Sequence, residues 1–97
     1  MARRAARVDA NQTEIISTFR SLGASAKPTH MVGDGFPDVV VGYRGKNYLV
    51  EIKDGDKPHW EQKLTPDEEE FHSVWQGQVI VINSVGAVIE FINSVGE

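Results

Sequence analysis

The stretch Asp38-Val-Val-Val-Gly-Tyr43-Arg44-Gly45-Lys46-Asn-Tyr-Leu-Val-Glu51-Ile52-Lys53 decides the reading of this 97-residue chain. Two runs rich in β-branched and aromatic residues, Asp38 to Tyr43 and Lys46 to Lys53, flank Arg44-Gly45, which is a β-hairpin signal. If Arg44 and Gly45 form a two-residue loop, Tyr43 faces Lys46 and opposed residues have numbers summing to 89. A four-residue loop from Tyr43 to Lys46 keeps that register, whereas a three-residue loop or a bulge breaks it. In the favoured register Asp38 and Glu51 oppose each other on one face, with Cβ atoms about 4.5–5.5 Å apart. Strand alternation puts Lys53 on the same face and turns Val50 and Ile52 into apolar packing.

Two carboxylates so placed repel each other, and a cation between them removes the conflict. Carboxylate oxygens suit Mg²⁺ or Mn²⁺, and the Ile52 carbonyl lies between the side chains as a further oxygen ligand. In a metal-dependent hydrolase the ion lowers the pKa of bound water and stabilises phosphate charge, while a lysine orients that water or neutralises developing charge. Asp38, Glu51 and Lys53 are therefore the catalytic candidates, with Asp38, Glu51 and Ile52 as candidate metal ligands. The plainer alternative makes Glu51 and Lys53 a solvated strand face and Asp38 a turn residue. Against it stands Val39-Val40-Val41, which reads as a strand buried on both faces. Such a strand does not open with an unpaired acid facing another acid.

Outward from the hairpin, Asp9 to Gly23 reads as a helix with Asn11 as cap and Ile15, Phe19 and Leu22 on one face. Ala24 to Met31 holds a short strand broken around Pro28, followed by the glycine-rich loop Gly33-Asp34-Gly35-Phe36-Pro37. Asp54 to Lys63 is polar and turn-rich. Thr65-Pro66-Asp67-Glu68 combines an N-cap threonine, a first-turn proline and a capping-box acid, with Phe71, Val74 and Trp75 as an apolar stripe. Gln78 to Ile82 is a strand, and Ser84 opens a last helix with Val85, Val88, Ile89, Ile92 and Val95 on one side. The expected fold is α/β: a mixed four-stranded sheet flanked by helices, in the order αβββαβ plus a C-terminal helix. Residues 1–8, with Arg3, Arg4 and Arg7, read as a loose basic arm or a fraying helix start.

At 97 residues the chain is read as one domain spanning 1–97. It has no cysteine, which excludes disulfides, Cys-ligated zinc and a thiol nucleophile. No apolar run approaches a membrane span, and no signal-like segment follows Met1, so a cytoplasmic, soluble protein is expected. The net charge of −4 is unevenly spread: residues 1–63 carry all ten Lys and Arg against eight acids, residues 64–97 six acids and no base. Lys27, Arg44, Lys46, Lys57 and Lys63 are the candidate phosphate contacts. The glycine loop has no Walker pattern, so no nucleotide cofactor is expected. His30, His59 and His72 share no spacing that would make a metal triad. Trp60 is read as partly buried or as a dimer contact in preference to a surface that stacks on a base.

Gly35-Phe36-Pro37-Asp38, twelve intervening residues and Glu51-Ile52-Lys53 resemble the PD-(D/E)XK nuclease signature. The surrounding text is similar to a stand-alone VRR-NUC domain of phage and prophage type. The similarity runs from Asp9-Ala-Asn-Gln-x-Glu14 through Gly42-Tyr-Arg-Gly-Lys-Asn-Tyr48 and Lys53-Asp-Gly55 to Lys63-Leu-Thr-Pro-Asp67 and Phe71-His72. The resemblance implies a restriction-endonuclease-like core and an endonuclease dependent on Mg²⁺ or Mn²⁺. In it Asp38 and Glu51 are metal ligands, Lys53 is the catalytic lysine, and Glu14 on the first helix joins the metal site. It further implies a homodimer acting on branched DNA such as Holliday junctions, in a bacterial host cell. Asn11-x-x-Glu14 also reads as a capping box, and relatives often carry glutamine where this chain has Glu68. The rival readings are a non-catalytic module for branched nucleic acid and a structural dimerisation protein on the same fold.

Overall fold

The computed structural model describes residues 10–96. The elements are α1 (Gln12–Ser21), β1 (Ser25–Pro28), β2 (Val39–Tyr43), β3 (Lys46–Ile52), α2 (Pro66–Val74), β4 (Val79–Ile82) and α3 (Val85–Val95). Short 3-10 turns at His30–Val32 and His59–Glu61 interrupt the loops. The basic arm and the first residues of the expected helix lie outside the described residues. The four strands lie in the order β1-β2-β3-β4, with β1/β2 and β2/β3 antiparallel and β3/β4 parallel. This is the mixed sheet the sequence implies.

The hairpin takes the register that sums to 89, from Tyr43↔Lys46 to Val39↔Val50. Arg44 and Gly45 both have positive φ, 52° and 82°, as a two-residue type I′ turn requires. Asp38 differs from the expectation of a simple opposed pair. Its N–H donates to the Val50 carbonyl at 2.9 Å, and its Oδ2 accepts the Ile52 N–H at 2.7 Å. The side chain thus takes the place of a ladder carbonyl, while the Asp38 backbone carbonyl accepts from the Thr29 N–H instead.

One sheet face carries Val39, Val41, Tyr48, Val50, Ile52 and Ile82, which pack against Ile15, Ile16 and Phe19 of α1 and Val88 and Ile92 of α3. Full burial of each such side chain contributes about 1.5–3 kcal/mol. On α3 the buried stripe runs through Val88 and Ile92, while Ile89 is left 43% exposed. Gly23, at φ 95°, closes α1 with paired bonds from its own N–H to Arg20 and from the Ala24 N–H to Phe19. Asn11 occupies the N-cap position but makes no side-chain cap bond. Its amide donates instead to the Lys53 carbonyl at 3.1 Å and the Asn83 carbonyl at 3.3 Å. Tertiary acceptors at the ends of β3 and β4 outcompete the local cap and tie α1 to the strand that carries the carboxylate.

At α2 both halves of the capping box form between Thr65 and Glu68. None of its residues is buried, however, and its aromatics join a satellite cluster. Phe71 stacks on Trp75 at 4.9 Å and meets Phe36 edge-on at 5.3 Å. Gly35, at φ 78°, presses so closely on the Asp67 backbone that a Cβ would collide with the Asp67 carbonyl. Gly35→Ala therefore combines overpacking with a strained φ, and a loss of about 2–4 kcal/mol is expected in urea unfolding. An unchanged midpoint would show that the loop and α2 do not depend on this contact.

Candidate active site

The face opposite the core carries the candidate residues. Glu51 is only 2% exposed, and Lys53 beside it is 9% exposed. Together with Asp38, Lys57, Glu61, Lys63, Thr65 and Glu68 they line a cleft of about 320 Å³. The backbone of Asp38 is pinned from both sides, since its carbonyl accepts from the Thr29 N–H at 2.7 Å. Its carboxylate stands at the mouth of the Glu51 pocket.

Lys53 Nζ donates to Glu68 Oε1 at 2.7 Å and lies 3.9 Å from Glu51 Oε2. A buried ammonium needs such a partner, because unpaired it would be left without solvation. Glu68 Oε1 also accepts the Thr65 N–H at 2.9 Å, so one oxygen both caps α2 and fixes the lysine. Burial alone would raise the Glu68 carboxyl, but the bonds from Lys53 and the Thr65 amide hold it below the usual carboxylate range. The opposite holds for Glu51. Desolvation, reinforced by the neighbouring Asp38 and Glu68 carboxylates, pushes it up to about 10. Glu51 therefore keeps a proton at neutral pH unless a cation replaces it.

The fit to a divalent ion rests on one atom. Glu51 Oε1 is buried and has no hydrogen-bond partner. An orphaned, desolvated carboxylate oxygen beside a second carboxylate is what a hard cation satisfies. Among the described residues no group of three His, Cys, Asp or Glu side chains forms a complete cage. Two carboxylates suffice for Mg²⁺, which commonly retains several waters.

The expected residues divide. Asp38, Glu51, Lys53, Lys57 and Lys63 line one cleft, and Ile52 meets Asp38 through its own N–H. Glu14 does not join them. Burial of Gln12, Ile15, Ile16 and Phe19 sets the rotation of α1, and Glu14 turns outward into a separate cleft with Asn11, Asp54 and Asp56. Lys27 on β1, paired with Val40, shares the Glu51 face two strands away from β3. Arg44 and Lys46 sit at the hairpin turn, roughly 17 Å along β3 from Glu51; the Arg44 guanidinium lies 5.7 Å from the Tyr43 ring centroid.

Two residues gain a place the sequence did not give them. Glu68 read first as a capping acid, at a position where relatives often carry glutamine, and the cap is real, but its contact with Lys53 spans fifteen positions and is invisible to local pattern. His72 follows Glu68 at i+4 on α2, with its Nε2 buried and unpartnered. Burial holds its imidazole below the usual value against the pull of the Glu68 charge. The i, i+4 spacing and the place of Phe71-His72 in the resemblance were the available signals. His30 pairs instead with Gln12, Nδ1 to Nε2 at 3.1 Å.

Comparison with solved structures finds similarity to a chain described as "VRR_NUC domain". The two are 28% identical, with a TM-score of 0.57 over 87% of this chain and 91% of the other. No family model and no curated protein matches the chain. Among the described residues no helix is long and apolar enough to cross a membrane.

Proposed function

We propose, from the premise that this chain is a VRR-NUC-type domain with a nuclease fold, that it hydrolyses DNA phosphodiester bonds with Mg²⁺ or Mn²⁺. The observation that carries this reading is the buried, unpartnered Glu51 Oε1 beside Asp38, with the Lys53 ammonium 3.9 Å from the other Glu51 oxygen. Asp38, Glu51 and the Ile52 carbonyl are the proposed ligands, and Glu14 is left out because it faces another cleft. When bound, the ion supplies a water of lowered pKa and charge to offset that of the phosphate.

The chain's own residues do the rest. Asp38 is held in place by the Ile52 N–H, so its carboxylate is oriented before any ligand arrives. Lys53, aimed into the cleft by Glu68, is a hydrogen-bond donor placed to orient the attacking water and to offset negative charge that develops on the phosphate. Its burial strengthens that effect, because competing water is excluded. Lys57 and Lys63 bind flanking phosphates at the mouth, without reading base identity. Action on branched DNA, as a homodimer in the cytoplasm of a host cell carrying a phage or prophage, follows from the resemblance in the sequence.

The test is incubation of end-labelled four-way-junction DNA and matched linear duplex with Mg²⁺, Mn²⁺ or EDTA. Nicking in either metal and none in EDTA is expected, with the junction cut preferentially. Binding without product in any metal would replace this reading with that of a non-catalytic nucleic-acid module.

A further inference from the structure

Trp60 is 70% exposed, on the short 3-10 turn His59–Glu61. Among the described residues it is the most exposed large apolar side chain. The turn that presents it is not loose. Gln62 Nε2 donates to the Lys57 carbonyl at 2.8 Å and the Gly55 carbonyl at 3.4 Å, and its Oε1 accepts from Asn83 Nδ2 at 3.1 Å. The Glu61 and Gln62 N–H groups close back on the Pro58 and His59 carbonyls. The indole is thus carried on a braced loop, which lowers the ordering cost that a ligand has to meet.

The same loop leads into the catalytic cleft. Lys57, Glu61 and Lys63 on either side of Trp60 line it with Lys53. Outside the cleft α2 exposes Asp67, Glu69 and Glu70, which line other surface hollows. A polyanionic strand with a phosphate at Lys53 is drawn toward Lys57 and Lys63, the two lysines that bracket Trp60 in this loop. Paired bases keep their faces stacked on one another, so only an unpaired base can offer one to the ring.

We propose that Trp60 is a stacking platform for an unpaired nucleobase next to the phosphate bound in the cleft, so that the site selects strands with single-stranded character. This rests on the nuclease reading of the cleft. Lys57 and Lys63 hold the backbone, Trp60 holds the base, and every base is accepted because every base has a π-face.

The test measures binding in EDTA to a duplex with a short single-stranded gap and to the same duplex filled in, by fluorescence anisotropy, for wild type, Trp60→Ala and Trp60→Phe. Trp60→Ala is expected to lose about 5- to 100-fold in affinity for gapped DNA, with less than about 2-fold change on filled duplex. Trp60→Phe is expected to recover most of the loss. Equal losses on both DNAs, or no loss on either, overturn the proposal. Conversion of a wild-type dimer to monomer by Trp60→Ala in sedimentation, without selective loss on gapped DNA, also overturns it in favour of a contact between copies. Metal-dependent cleavage by wild type, run alongside, separates the two levels. Cleavage without Trp60 selectivity sinks this inference alone, whereas neither binding nor cleavage sinks the nuclease reading and the inference with it.

Discussion

Lys53→Ala is expected to cleave DNA about 10²–10⁴-fold more slowly than wild type while still binding both DNA and Mn²⁺. The expectation follows from where the ammonium stands. It is fixed 2.7 Å from Glu68 Oε1, and it approaches Glu51 without being needed to hold the Asp38 carboxylate, which the Ile52 N–H already orients. Truncation therefore removes a donor to the reacting centre and leaves the proposed ligands in place. It also leaves Glu68 half-buried without its cation, so a stability loss of about 1–3 kcal/mol accompanies the change. Cleavage and melting are to be measured on the same preparation. A variant that folds, binds and cuts at the wild-type rate would remove Lys53 from the chemistry.

Glu51→Gln is expected to stabilise the metal-free protein at neutral pH and to flatten its dependence on pH. The folded carboxyl is raised from the ordinary 4.5 to about 10, with desolvation as the main cause. Below 4.5 both folded and unfolded states hold the proton, and the full stability is present. Between 4.5 and 10 the unfolded chain ionises while the folded carboxyl does not, so stability falls steadily as pH rises through that window. At pH 7 the cost is on the order of 3 kcal/mol, which the neutral amide avoids. Glu68 and His72 titrate in both proteins, so the difference between wild type and variant isolates Glu51. Urea unfolding in EDTA at pH 5, 7 and 9 should show the gap widening upward. A constant gap, or a variant less stable at pH 9, would contradict the burial-driven shift. Activity should move the other way, since the stabilised variant has lost a proposed ligand.

The hairpin was legible because two independent local signals agree: an Arg-Gly pair able to take positive φ, and a side-chain period of two whose register survives a change of loop length. The α2 start was legible for the same reason, as Thr65, Pro66 and Glu68 carry their own cap. What local pattern missed is tertiary. Asn11 abandoned its cap for carbonyls at the ends of β3 and β4. Glu14 turned outward because Ile15, Ile16 and Phe19 fix the rotation of α1. Phe71 and Trp75 found Phe36 in place of the central core. Glu68 acquired Lys53 from fifteen positions away. Trp60, expected to be partly buried or a dimer contact, is 70% exposed on its own chain, on a loop that the hydrogen bonds of Gln62 brace without covering the indole.

The account depends most on the Asp38–Glu51 pair being a cation site. Its direct test is calorimetric titration of Mn²⁺ into wild type and Glu51→Gln at pH 7, repeated in buffers of different ionisation enthalpy to count protons. One site per chain, with release of about one proton per ion from Glu51 and loss of that site in the variant, is the predicted result. No binding, or binding that persists in Glu51→Gln without proton release, would contradict it.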